Sequence, residues 1–116
     1  MRRGDVFLAN LGAKEETAKG SEQAGTRPVI IVSRDAINAH SPVVIVVPVT
    51  GRENRRTIYP SQEVLKAGEG GLRKDSVALC EQVRAISVTR LGKQMGNLGP
   101  DKMAGIADGL RIALDL

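Results

Sequence analysis

The densest chemistry in the chain lies just ahead of its first long apolar run. Gly20-Ser21-Glu22-Gln23-Ala24-Gly25-Thr26-Arg27-Pro28 sets a carboxylate, an amide, two hydroxyls and a guanidinium among glycines. A planar guanidinium held at the mouth of a rigid strand can fork onto a phosphate with two parallel hydrogen bonds. Glu22 stands five residues earlier, on a turn that the glycines permit. A carboxylate and an arginine facing each other across a phosphate can run RNA self-cleavage. The base takes the 2′-hydroxyl proton, and the cation stabilises the charged phosphorane. That scheme needs no metal. The residues alone leave a second reading open: a solvated polar turn in which Glu22 pairs with Arg27.

Two further segments add polar groups to apolar surroundings. Thr50 ends the run Val43 to Val49. Its hydroxyl suits a phosphate oxygen, and a threonine is also a common strand-ending residue. Glu81-Gln82-Val83-Arg84 interrupts an otherwise core-like stretch. It offers either a solvent-facing edge or an amide and a guanidinium for base edges.

Other classes are excluded. No P-loop and no dinucleotide fingerprint is present, and Gly68-Glu69-Gly70-Gly71 reads as a hairpin turn. His40 is the one histidine, set in a connector before Ser41-Pro42, which leaves neither a Ser-His-Asp triad nor a two-histidine ribonuclease a convincing frame. Cys80, the one cysteine, sits among Val77, Ala78 and Leu79 and reads as a small buried hydrophobe. A lone cysteine also excludes an intrachain disulfide and fits a reducing cytoplasm.

The frame that must hold these groups is one domain, residues 1–116, with 41% apolar and 26% charged residues. The longest apolar run falls far short of the ~20 residues of a membrane helix, and no apolar stretch follows Arg2-Arg3 as in a signal peptide. A net charge of +4 and a pI near 9.6 suit a polyanionic partner. Aromatics are only 2%, too few for stacking platforms under single-stranded nucleic acid. A nucleic acid held by this chain would have to be held by hydrogen bonds and charge.

Val6 to Ala9 and Pro28 to Ser33 read as strands, flanking a long loop from Leu11 to Gly25. Arg34 to His40 is a short helical connector. Pro42 to Thr50 is β-branched and apolar enough for a strand covered on both faces. Gly51 to Thr57 is a charged turn with Arg52, Arg55 and Arg56. Ile58 to Leu65 is a strand bent at Pro60, Ser76 to Ile86 another, and Gln94 to Leu98 the last, after a tight turn at Val88 to Gly92. Pro100 to Leu116 is a helix, with Pro100 at its first position and Met103, Ile106, Ala107, Leu110, Ala113 and Leu114 along one face. Gly105 and Gly109 inside it each cost about 1 kcal/mol relative to alanine, which close approach of a neighbour or simple drift would explain. The outline is α+β: five to seven short strands in a small, mostly antiparallel barrel, closed by a C-terminal helix.

In order along the chain, Arg3-Gly4-Asp5-Val6, Gly20 to Val29, Val47-Pro48-Val49-Thr50, Asp75 to Arg84 and Leu91-Gly92 closely resemble the MazF/PemK (Kid-like) toxin family of type II toxin–antitoxin systems. The G-S-E-Q-x-G-x-R-P string is the most specific element, and E-Q-V-R supports it. The resemblance implies a barrel of the CcdB/PemK type, related to SH3-like barrels, that forms a homodimer. It implies a metal-independent, sequence-specific endoribonuclease, an mRNA interferase without cofactor. Such an enzyme cuts single-stranded RNA to 2′,3′-cyclic phosphate and 5′-hydroxyl ends and so inhibits growth. A cognate antitoxin neutralises it, here expected to act through an acidic C-terminal tail.

The family's catalytic arginine falls on Arg27, its strand-end hydroxyl on Thr50 and its loop glutamate on Glu22. Ser21, Gln23 and Gln82 match positions lining the RNA groove. Thr26, Arg84 and Arg52 join them as RNA-binding candidates from the same polar segments. Gly99 departs from the family where relatives often carry a helix-capping serine. The alternative function is that of the CcdB branch, a gyrase poison of the same fold that binds without catalysis.

Overall fold

The computed structural model describes residues 1–12 and 23–116. Most of the expected loop from Leu11 to Gly25, with Ser21 and Glu22, lies outside the described residues. Strands β1 (Asp5–Asn10), β2 (Thr26–Ile31), β3 (Val43–Gly51), β4 (Gln62–Leu65), β5 (Ser76–Leu79), β6 (Arg84–Ser87) and β7 (Leu91–Asn97) form one antiparallel sheet of seven strands. Its order is β4-β5-β3-β2-β1-β7, with β6 also paired to β3. Helix α1 (Asp35–His40) links β2 to β3, and helix α2 (Pro100–Leu114) follows β7. The sheet curls until β7 packs against the glycine turn Glu69–Gly71. Gly71 sits at φ +76°, and a Cβ there would overlap the Met95 carbonyl, so only glycine allows the closure. This is the expected α+β barrel with its C-terminal helix.

Two apolar layers flank the sheet. One joins Val6, Ile30, Val47, Val49 and Leu65 to Met103 and Ile106 of α2. The other holds Ala9, Val29, Ile31, Val44, Val46 and Ile86. The alternation along β2 is the pleat at work: Ile30 enters the first layer, Val29 and Ile31 the second. Helix α2 starts at Pro100 as expected, with Gly99 at the cap and no side-chain cap bond. Its glycines answer close approach. A Cβ at Gly109 would lie 2.6 Å from the Ser61 carbonyl oxygen and 2.9 Å from Cys80 Sγ, and one at Gly105 would strike the Glu63 carboxylate.

Four expectations need correction. The last strand, β7, begins at Leu91, inside the expected turn Val88 to Gly92, because the helical turn there closes at Arg90. The stretch Ser76 to Ile86 is not one strand. A single helical turn at Cys80–Gln82 divides β5 from β6, closed by Val83 N–H donating to the Cys80 carbonyl at 3.2 Å. The polar Glu81 and Gln82 are thus turn residues, while Arg84 opens β6. β4 is confined to Gln62–Leu65, because Tyr59 to Gln62 forms a turn around Pro60. β3 is covered on both faces only from Val46 on; Val43 and Ile45 are 43% and 38% exposed.

Candidate active site

The site opens where the sheet comes apart. β2 pairs with β3 from Val29↔Pro48 to Ile31↔Val46, and with β1 from Asn10↔Thr26 to Val6↔Ile30. β3 pairs with β5 from Val49↔Ala78 to Gly51↔Ser76. Among the described residues no ladder joins Thr26–Pro28 to Val49–Gly51. Pro28 and Pro48 stand at the junction, and neither has an N–H to donate. A cavity of about 570 Å³ occupies the gap. Thr26 and Arg27 line it from β2, Thr50 from the end of β3, and Asn54 from the following turn. Arg73 and Lys74 reach it from the loop before β5, and Lys93 and Met95 from β7.

Arg27 is half-buried, and its Nε–H donates to the Ala24 carbonyl at 2.9 Å. That bond fixes one edge of the guanidinium, and among the described residues no carboxylate pairs with the rest. Thr50 is 4% exposed, and its Oγ1 accepts from Asn54 Nδ2 at 3.1 Å. Lys74 is held to Glu53 at 2.6 Å, which keeps the Glu53 carboxyl below its ordinary value. The cavity therefore collects guanidinium and ammonium groups around a buried hydroxyl. Such a set binds phosphate oxygens and stabilises negative charge that develops on them. Among the described residues no three His, Cys, Asp or Glu side chains gather to hold a metal ion.

Of the residues singled out in the sequence, Arg27, Thr50 and Thr26 meet in this cavity. Gln23 and Gln82 meet each other: the Gln23 backbone N–H donates to Gln82 Oε1 at 3.1 Å. Gln23 Oε1 is buried without a partner among the described residues. Arg84 lies opposite Val46 in the β3–β6 ladder. Arg52 begins the turn after β3 and donates its guanidinium to the Arg55 carbonyl. Gln23, Gln82, Arg84 and Arg52 do not line the cavity. Glu22 and Ser21 lie outside the described residues. His40 is exposed at the end of α1. Cys80 is fully covered, and burial pushes its thiol up to about 12, far from a nucleophile's range.

The sequence reading missed Asn54, Arg73, Lys74 and Lys93. The Arg73-Lys74 pair beside a glycine turn was a usable signal. Lys93 carried none, because only the curl of β7 brings it round to β2.

The chain matches, over residues 2–114, the model of the PemK-like, MazF-like toxins of type II toxin–antitoxin systems. It is 41% identical to an endoribonuclease MazF of Staphylococcus saprophyticus, over all of this chain and 92% of that one. An endoribonuclease solved with its cognate antitoxin, from a mycobacterial species, superposes with a TM-score of 0.79 at 28% identity, covering 100% of this chain and 96% of the other. MazF of Deinococcus radiodurans gives 0.79 at 25% identity, covering 100% and 97%. The family model spans nearly the whole chain, including the strands that build this cationic cavity, and the 41% identity spans all of it: the chain belongs to the PemK-like, MazF-like toxin family of type II toxin–antitoxin systems.

Proposed function

We propose that this endoribonuclease cleaves single-stranded RNA by attack of a ribose 2′-hydroxyl on the adjacent phosphorus, and that the phosphate being cut sits between Arg27 and Thr50. The 2′-oxygen bonds to phosphorus while the bond to the 5′-oxygen breaks, and the departing 5′-oxygen takes a proton from solvent. The products are a 2′,3′-cyclic phosphate and a 5′-hydroxyl, and no step calls on a metal or an external reductant or oxidant. Arg27 donates to the non-bridging oxygens as the phosphorane gains charge, and the Thr50 hydroxyl donates to one of them. Glu22 is the proton acceptor in this reading, being the one carboxylate in the Gly20 to Pro28 segment. Arg73, Lys74 and Lys93 then hold flanking phosphates. Ser21, Gln23, Thr26, Gln82, Arg84 and Arg52 contact the RNA along the approach to the cavity.

One observation carries the reading: an arginine and a buried hydroxyl from different strands meet in one cation-lined cavity. A long transcript incubated with the protein in EDTA tests it. Discrete cuts are expected. Intact RNA together with inhibited DNA supercoiling would instead select the gyrase-binding mode.

The partners follow from charge and surface. A homodimer covers the exposed end of α2, where Ile112 and Leu114 are 55% and 53% exposed. Light scattering should give about twice the 12.3 kDa chain mass; the monomer mass at micromolar concentration would contradict the dimer. The toxin acts in the cytoplasm, where mRNA is. The antitoxin blocks it with an acidic C-terminal tail that folds over Arg27 and Thr50, its carboxylates standing in for phosphates. RNA and tail compete, and salt weakens both.

A further inference from the structure

A threonine hydroxyl has one proton and two lone pairs. At Thr50 one lone pair is taken, because Asn54 Nδ2 donates to Oγ1 at 3.1 Å. The proton must then point elsewhere, and among the described residues no acceptor takes it. The side chain is almost wholly buried yet lines the cavity beside Arg27. We infer that Asn54 is a positioning residue for the cleavage reaction: its side-chain amide turns the Thr50 hydroxyl so that the proton is delivered into the cavity, to an oxygen of the bound phosphate. The inference rests on the role given to Thr50 above.

The fold places that amide deliberately. Asn54 ends the single helical turn Arg52–Asn54, closed by Arg55 N–H donating to the Arg52 carbonyl at 3.1 Å. The turn is tied to the loop before β5 at two points. Arg52 N–H donates to the Asp75 carbonyl at 2.9 Å, and Glu53 pairs with Lys74 at 2.6 Å. Lys74 itself lines the cavity. One wall of the cavity thus fixes the group that orients the Thr50 hydroxyl lining it. A donor already aimed at the site of developing charge has no reorganisation left to do during the reaction.

The test is steady-state cleavage of an oligoribonucleotide carrying one mapped cut site, with a melting curve for every variant. Asn54→Ala should lower kcat by about 10-fold, the size of one lost hydrogen bond, and leave KM and the melting midpoint in place. Asn54→Asp keeps the shape and reverses the polarity. Its ionised carboxylate accepts the Thr50 proton, so kcat should fall further than in Asn54→Ala, and the deficit relative to wild type at the same pH should narrow as pH drops toward about 4, the ordinary aspartate value. In a Thr50→Ala background, Asn54→Ala should cost nothing more, since it acts through Thr50.

An equal loss in both backgrounds would overturn the inference, as would a raised KM with unchanged kcat, the mark of a direct RNA contact. Melting midpoints that fall in step with kcat would also overturn it, by making Asn54 a prop for the turn. Full activity of Thr50→Ala would remove the Thr50 assignment itself. A crippled Thr50→Ala beside wild-type Asn54 variants would sink only the positioning role.

Discussion

The two ends of the β2–β3 pair differ in what joins them. At the Ile31/Val46 end the strands are laddered, and every side chain between them is apolar and buried. At the Arg27/Thr50 end the ladder stops, β3 turns to β5, and polar groups face a cavity. The same two strands therefore supply both a rigid ladder and the polar groups of the proposed site. A backbone locked at one end can hold a guanidinium and a hydroxyl still at the other without packing them into the core.

This contrast predicts that substitutions at the open end cost activity and those at the laddered end cost stability. The largest effect is expected from Arg27→Ala. Cleavage should fall by at least 10²–10³-fold, the usual loss for one donor to a developing charge, with the melting midpoint nearly unchanged. Near-wild-type turnover by a folded variant would erase the contrast.

At the closed end, Ile30 is fully buried against Val6, Val47 and the α2 layer. Ile30→Ala should lower the unfolding free energy by about 2–5 kcal/mol in urea titration, while the protein that remains folded cleaves normally. A loss of activity without loss of stability would show that the two ends are not separable.

How much of this was readable beforehand follows from how local each cause is. The apolar run of β3 and the period of α2 are local, and both elements stand where the pattern puts them. The break at Cys80–Gln82 is not local. Apolar Val77 to Cys80 and then Val83 suggest one continuous strand, but β5 must leave β3 at Val49 and β6 must join it at Val46, so the chain between them turns. Arg27 and Thr50 were visible as a motif. Asn54 was not, since nothing in Gly51 to Thr57 says which polar side chain folds back on Thr50 and which faces water. For the glycines of α2 the sequence leaves close approach and drift both open, and only the positions of Ser61 and Glu63 decide for close approach.

Gly109 sharpens the comparison from a third direction. Alanine is intrinsically better than glycine in a helix by up to about 1 kcal/mol. The added Cβ would press on the Ser61 carbonyl and Cys80 Sγ. Gly109→Ala should therefore destabilise, by about 1–3 kcal/mol, since backbone cannot give way as a side chain can. A stabilised variant in thermal melts would show that α2 can shift away from β4.

The smallest effect concerns the exposed Glu53–Lys74 pair at the cavity rim. The hydrogen bond from Lys74 lowers the Glu53 carboxyl in the folded state. Its contribution is therefore present above the ordinary carboxylate value and is lost as pH falls through the lowered one. Wild type and Glu53→Gln should differ slightly in stability at neutral pH and converge in acid. A difference that grows on acidification would mean that the pair is not what ties this turn.

The central claim is that the chain cuts RNA by using the RNA's own 2′-hydroxyl, with Arg27 and Thr50 on the phosphate. An oligonucleotide with a single 2′-deoxy substitution at the nucleotide 5′ to the mapped cut tests it most directly. The predicted result is no cleavage at that phosphate, while the all-ribose control yields a 2′,3′-cyclic phosphate and a 5′-hydroxyl. Cleavage of the 2′-deoxy strand at the same bond would contradict the account, because the attacking oxygen would then have to come from water or from the protein.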